Sequence, residues 1–269
     1  MKLQLDGQAA YAYTGGTPFD PSLPGVVFVH GALHDHSVWI QQSRYLAHHG
    51  FAVLAVDLPA HGRSGGAPLG VQAAGDWVAR LVEASGLPRA ALVGHSLGSL
   101  IALEAAACLG ESASALVMVG TAYPMKVSPA LLQLALDDPL RGMRLVNQLS
   151  ISSHAAKPSH PGPGFWLHGG NLALMRRTQR GYAAGNLFHT DFMHCDAYAG
   201  LEQTAPRVQC PVTLVLGARD QMTPPKATAP LVERLKPRVV TLPSGHALMG
   251  ETPDALLDTL IATLRARAA

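Results

Sequence analysis

The feature that most restricts what this chain can fold into is a rhythm of short β-branched runs alternating with helical stretches. Val26-Val27-Phe28-Val29 is apolar at every position and bounded by Gly25 and Gly31, which suits a strand buried on both faces. A helical stretch follows over residues 37–49, and Gly50 stops it. The next strand covers 51–56, the next helix 71–84, then come a strand at 90–93, a helix at 96–109 and a strand at 115–119. Beyond Thr121 the rhythm lapses. It resumes with a strand at 211–216, a helix at 226–235, a strand at 238–242 and a closing helix from Thr252, with Pro253 suited to the first helical position. This alternation predicts an α/β fold with a mostly parallel central sheet flanked by helices on both faces. Residues 2–14 alternate loosely up to Thr14-Gly15-Gly16 and predict an opening antiparallel hairpin.

The lapse over 122–205 reads as a mainly helical cap inserted into one core made of 1–121 and 206–269. Helical patches stand at 131–136 and 172–180, and between them 157–170 is rich in Pro, Gly and His, with poor propensity for any regular element. A chain of 269 residues with 48% apolar and 14% charged side chains can bury such a core. Its 20 basic and 18 acidic residues are interspersed, and Arg176-Arg177 is the one basic doublet, so no nucleic-acid stripe or polybasic membrane patch is present. No apolar run reaches the roughly 18 residues of a membrane span, and Met1-Lys2-Leu3-Gln4-Leu5-Asp6 carries no signal-peptide core. Cys108, Cys195 and Cys210 have neither zinc spacing nor the pattern of a disulfide framework, and Cys108 reads as a small buried hydrophobe. The expected compartment is a reduced cytoplasm.

Gly94-His95-Ser96-Leu97-Gly98 is a G-x-S-x-G motif between a predicted strand and a predicted helix. A turn that tight forces the serine into strained backbone angles, and glycines two residues on either side let strand and helix approach. The hydroxyl then stands at a helix N-terminus, where the dipole favours developing negative charge. A serine is a poor nucleophile until a base takes its proton. Of the 13 histidines, His246 follows a strand and precedes the last helix, on the same sheet edge as Ser96. Asp220 holds the equivalent place after the preceding strand.

Four motifs in order carry a resemblance: His30-Gly31-Ala32, Asp57-Leu58-Pro59-Ala60-His61-Gly62-Arg63-Ser64, the serine turn, and the paired Asp220 and His246 loops. Across nearly its whole length the chain resembles an α/β-hydrolase fold enzyme of the serine esterase type, with the cap as the divergent part. The resemblance implies Ser96 as nucleophile, His246 as base and Asp220 as the acid that orients it, in the chain order of that family. It implies an oxyanion hole from the backbone N–H groups of Leu97 and Ala32, with Leu33 as a lesser alternative to Ala32. His30 is expected to shape its turn and His95 to pack beside the nucleophile. Asp191 is the reserve for the acid.

The implied reaction is hydrolysis of a small to medium, largely apolar carboxylic ester through an acyl-enzyme. Thioesterases, lactonases and C–C bond hydrolases share the same three residues, and a ligand receptor on this fold is the alternative of another class. The cap supplies apolar candidates for the substrate pocket: Tyr123, Met125, Phe165, Trp166, Leu172 and Phe188, with Leu131, Leu167 and Met175 beside them. No cofactor is expected. His34 and His36 bracket Asp35, but no further ligand in the sequence completes a metal site, so no metal is expected either. The expected partner is a small ester-like molecule.

Overall fold

The computed structural model describes residues 1–152 and 167–265. The chain opens with the antiparallel hairpin of β1 (Lys2–Leu5) and β2 (Gln8–Tyr13). The alternating part then runs β3 (Gly25–Val29), α1 (Ile40–Ala47), β4 (Ala52–Asp57), α2 (Val71–Ala84), β5 (Ala90–His95), α3 (Leu97–Leu109) and β6 (Ala113–Val119). The helix expected over 37–49 is split. A 3₁₀ turn, His36–Trp39, comes first, started by the Asp35 side chain, which accepts the Ser37 N–H.

Between β6 and the next strand stand α4 (Pro129–Asp137), α5 (Pro139–Ser150), α6 (Leu167–Gly181), α7 (Leu187–Ala197) and the short α8 (Leu201–Thr204). The starts of α4 and α5 carry local signals: Ser128 and Asp138 cap them, and Pro129 and Pro139 hold the first helical position. Helix α6 begins inside the 157–170 stretch that sequence propensity leaves irregular. The chain closes with β7 (Val212–Gly217), α9 (Ala229–Leu235), β8 (Arg238–Leu242), α10 (Leu248–Glu251) and α11 (Pro253–Arg265).

Among the described residues the strands form one eight-stranded sheet in the order β1-β2-β4-β3-β5-β6-β7-β8. Every pairing from β4 to β8 is parallel, and only β1–β2 and β2–β4 are antiparallel. Alternate side chains of each strand enter opposite cores. Val27 and Val29, Leu92, and Leu116 and Met118 pack under α2 and α3; Val26 and Phe28, Ala91 and Val93, and Val117 and Val119 pack under α1 and α11. This double burial is why the central strands are apolar at successive positions instead of every second one. Helix α3 is buried from Leu97 to Ala107, while Cys108, one residue further, is exposed, contrary to the sequence expectation. The apolar faces of α4, α5, α6 and α7 form a third cluster, which closes on Leu33 and Ala60 from the loops after β3 and β4. By Cys195, Tyr198 and Leu201 the chain has rejoined the main core. Among the described residues, no helix is long and apolar enough to cross a membrane.

Parallel strands leave their connecting loops at a common edge, and in open α/β sheets the crevice outside the carboxyl ends of the strands is where ligands bind. Here that edge gathers the loops after β3, β5, β7 and β8, which carry Ala32, Ser96, Asp220 and His246.

Candidate active site

Ser96 sits between β5 and α3 with φ 53° and ψ −122°. A serine in this region costs about 1–3 kcal/mol, which the surrounding structure must supply. Both flanking glycines are needed. A Cβ on Gly94 would overlap the Gly98 carbonyl, and one on Gly98 would run into the Val29 and His30 carbonyls. The Ser96 N–H is held by the Val119 carbonyl on β6 at 3.0 Å. Leu97 opens α3, so its N–H belongs to the first turn, which has no partners within the helix.

Asp220 and His246 meet. His246 Nδ1 lies 2.8 Å from Asp220 Oδ2. A carboxylate only accepts, so Nδ1 carries a proton, and Nε2 is the ring nitrogen left to act toward the cavity. The carboxylate is itself fixed: Oδ1 accepts the N–H groups of Met222 and Thr223, each at 2.8 Å, and Oδ2 accepts the Thr223 hydroxyl at 2.7 Å. Burial pushes Asp220 up, but the nearby His246 and the Thr223 hydrogen bonds outweigh it and hold the carboxyl below the usual carboxylate range. Thr223, whose hydroxyl also lies 3.1 Å from His246 Nδ1, is a member of this array that the sequence did not single out. Its position three residues after the aspartate is the available signal, because an aspartate followed by such a turn reaches the N–H groups two and three residues on.

The His246 loop is held from below. Ser150, at the end of α5, accepts the N–H groups of His246 and Ala247 at 2.7 and 3.0 Å. Glu251 accepts from Gly245 N and Ser152 N at 3.0 and 3.1 Å. His95 does more than pack: its Nε2 donates to the His246 carbonyl at 2.9 Å, and its ring lies 4.7 Å from that of His246. His30 bridges two loops, with Nδ1 on the Gly31 carbonyl at 2.8 Å and Nε2 accepting the Leu58 N–H at 3.1 Å. Burial and the neighbouring His61 push its pKa down to about 4, so it stays neutral.

A cavity of about 260 Å³ opens at this edge, and Ser96, His246, Ala32, His34, His95 and Thr223 all line it. Its remaining lining is mainly apolar, from Val38, Val146, Ile151, Leu174, Phe192 and Met249 among others. Of the sequence-predicted pocket residues, Met125 lines it, together with Leu167 and Met175. Tyr123, Leu172, Phe188 and Leu131 are not among the lining residues. Phe188 is fully buried, packed edge-on to Phe192 with centroids 5.0 Å apart, and Tyr123 packs edge-on to Tyr198. Apolar character alone did not reveal which helix face each side chain occupies. Phe165 and Trp166 lie outside the described residues.

Asp191, the reserve acid, is engaged elsewhere. Its Oδ2 accepts from His61 Nε2 at 2.9 Å and from the Leu33 N–H at 2.7 Å. That second bond also commits the Leu33 N–H, the lesser oxyanion candidate, to a protein acceptor. Among the described residues, Asp35, His36 and Asp57 have donor atoms within 4.8 Å of one another. Both carboxylates are already engaged: Asp57 with the N–H groups of His36 and Arg63 and with His36 Nδ1, and Asp35 with Ser37 and Arg177.

This fold and this edge define a hydrolase. The Alpha/beta hydrolase family model matches residues 26–259, and the chain belongs to that family. The (E)-2-((N-methylformamido)methylene)succinate hydrolase of Acinetobacter baylyi is 23% identical over 222 residues, 78% of each chain. Among solved structures, a thermophilic esterase superposes with a TM-score of 0.79 at 22% identity, covering 99% of this chain and 97% of the other. The enol-lactonase from Burkholderia xenovorans gives 0.79 at 19% identity, over 98% and 100%. At these identities the likeness to the two structures is one of fold.

Proposed function

We propose that the protein is a serine hydrolase that cleaves a small to medium, largely apolar carboxylic ester through an acyl-enzyme. Ser96 attacks the carbonyl, and His246 takes the hydroxyl proton and returns it to the leaving alcohol. Asp220 keeps the imidazole in the required tautomer and stabilises the imidazolium. The N–H groups of Ala32 and Leu97 stabilise the tetrahedral oxyanion, and the loss of one such donor typically costs about 2.7–4 kcal/mol of barrier. Water then releases the acid by the same proton path.

The observation that carries this reading is a strained serine lining the same cavity as a histidine whose other ring nitrogen is held by a buried aspartate. A largely apolar wall favours an uncharged acyl group, and about 260 Å³ lies near the low end of small-molecule sites. Residues 122–205 act in this reading as the cap: Met125, Val146, Leu174, Met175 and Phe192 come from them and supply much of the apolar wall.

The test is turnover of p-nitrophenyl acetate and butyrate by the wild type and by Ser96→Ala, with stoichiometric labelling by a small fluorophosphonate. Labelling at Ser96, and turnover lost in the variant, are expected. A label on another residue, or turnover that survives Ser96→Ala, overturns the proposal.

A further inference from the structure

The loop after β3, which carries Ala32, is tied to the helices between β6 and β7 at three points. Asp191 on α7 accepts the Leu33 N–H at 2.7 Å, His34 Nε2 donates to Asn171 Oδ1 on α6 at 2.9 Å, and Arg177 on α6 donates to Asp35 Oδ2 at 2.6 Å. The first tie bears most directly on Ala32. Leu33 has φ 56°, a left-handed conformation that a leucine keeps only under outside constraint. The N–H groups of Ala32 and Leu33 lie on successive peptide planes, joined by the two soft dihedrals of Ala32 alone. Holding the Leu33 N–H therefore restricts where the Ala32 N–H can point. The loop also lies close to the serine, since a Cβ on Gly31 would come within 3.2 Å of Ser96 Cβ.

The acceptor is itself braced. His61 Nε2 faces Asp191 Oδ2 at 2.9 Å, and its Nδ1 faces the Pro59 carbonyl at 2.9 Å. Neither oxygen can donate, so His61 carries both ring protons and Asp191 faces an imidazolium. The side chains of both residues are almost completely buried. A buried ion pair is rarely a net source of stability, and the reaction proposed above has no use for its charge. Its hydrogen bond to that site is the one to the Leu33 N–H, and the His61 ring lies 4.8 Å from that of His30.

We propose that Asp191, braced by His61, is a positioning residue: it fixes the turn at Leu33 and so aims the Ala32 N–H at the oxyanion formed when Ser96 attacks. This rests on the serine-hydrolase reading above.

The experiment compares the wild type with Asp191→Ala, Asp191→Asn and the paired variant Asp191→Leu/His61→Phe. Both bonds meet on Oδ2, so an asparagine with Oδ1 in that place still accepts the Leu33 N–H and the His61 Nε2 proton, and only the charge is lost. The paired variant removes the acceptor without stranding a charge, a replacement that folded proteins commonly tolerate. For each protein, kcat on p-nitrophenyl butyrate is measured per phosphonate-titrated site. Affinities are measured for a trifluoromethyl ketone, which becomes an oxyanion on Ser96, and for the matching trifluoromethyl carbinol, an uncharged alcohol that Ser96 cannot attack. In Asp191→Ala and in the paired variant, kcat and ketone affinity fall together by about 10- to 100-fold while affinity for the carbinol holds. Asp191→Asn restores most of the loss.

Should Asp191→Ala fail to fold, the paired variant decides. A folded paired variant with wild-type kcat and ketone affinity overturns the proposal, as does an equal loss for both inhibitors. Ser96→Ala, run alongside, separates the two possible failures. Turnover surviving there refutes the serine reading itself, whereas an inactive Ser96→Ala beside an unaffected paired variant refutes only the role of Asp191.

Discussion

Among the described residues two histidine–aspartate pairs are buried, and their separations differ by 0.1 Å: His246 to Asp220 at 2.8 Å and His61 to Asp191 at 2.9 Å. Residue type and distance do not tell them apart. The second ring nitrogen does. His61 spends both nitrogens on acceptors, Asp191 and the Pro59 carbonyl, and so is locked as a cation. His246 spends only Nδ1 on its neighbours among the described residues, and it lines the cavity beside Ser96. A histidine whose two protons are both committed cannot accept another, whereas one with a nitrogen left over can serve as a base. Sealing suits such a pair of side chains to brace a turn; leaving one nitrogen open suits it to proton transfer.

The largest expected effect separates the pairs by activity. Asp220→Asn should lower kcat by about 10⁴-fold, because it favours the wrong tautomer of His246, while Asp191→Asn keeps most of the rate. Steady-state kinetics on one ester, normalised to phosphonate-titrated sites, tests both at once. If Asp191→Asn is the inactive one, the two roles are exchanged and the comparison collapses.

Stability should separate the substitutions within each pair. Asp191→Ala breaks a buried ion pair and takes the acceptor from the Leu33 N–H and His61 Nε2, at an expected cost of about 3–5 kcal/mol. Asp220→Ala takes the acceptor from the Met222 and Thr223 N–H groups, the Thr223 hydroxyl and His246 Nδ1, so it too should cost at least the roughly 1–3 kcal/mol of an unsatisfied buried group. In both pairs the asparagine variant, which keeps an acceptor oxygen, should have the higher urea denaturation midpoint at the same pH; an alanine variant as stable as its asparagine counterpart would mean that these bonds do not hold the loops.

A smaller effect distinguishes wall from filler among the apolar side chains. Leu174→Ala enlarges the cavity and should change the ratio of kcat/KM between butyrate and octanoate esters by about 1–3 kcal/mol. Phe188→Ala, at a side chain that packs behind Phe192 and does not itself line the cavity, should lower the melting temperature and leave that ratio unchanged. A shift in the ratio for Phe188→Ala would make it a pocket residue after all.

The smallest effect is a pH dependence of stability. Burial pushes His61 down, but the Asp191 charge outweighs it and holds its pKa above the ordinary value; Asp191 is likewise pushed up by burial and held below its ordinary range by His61. The His61 contribution is therefore complete below about 6.5 and is lost as pH rises through the raised pKa. The Asp191 contribution is present above about 3.9 and is lost as pH falls through the lowered one. Asp57, His30 and His194 also face this pair, and all three remain in the Asp191→Leu/His61→Phe variant. The stability of the wild type relative to that variant should peak between those two limits and decline toward pH 9. A difference that stays constant from pH 5 to pH 9 would mean that His61 is not held as a cation.

Much of this was legible in the chain. Successive apolar residues in β3, β5 and β6 announced strands buried on both faces, and the spacing of helices between them left little choice but a parallel sheet. The glycines at 94 and 98 and the position of Ser96 between them follow from sterics that act within five residues, so sequence alone marks the turn. The places of Asp220 and His246 after consecutive strands follow from the same topology. Local rules also marked α4 and α5, through Ser128-Pro129 and Asp138-Pro139, although periodicity by itself passed over α5.

What only the tertiary structure decided depends on contacts between residues far apart in the chain. Asp191 was visible as a carboxylate near a histidine-rich helix, but nothing nearby in sequence says that it reaches His61 and Leu33, 130 and 158 residues away. The same holds for His95 on the His246 carbonyl and for Ser150 under the His246 loop. Phe188 and Met125 are both apolar, yet one fills the helical cluster and the other lines the cavity, because hydrophobicity fixes burial and not the direction a helix face turns once it docks. Local sterics and hydrophobic period act over a few residues and can be read in order. Which acceptor a buried histidine finds for its second nitrogen is settled only when distant loops are packed together, and in the function proposed above that choice separates a brace from a base.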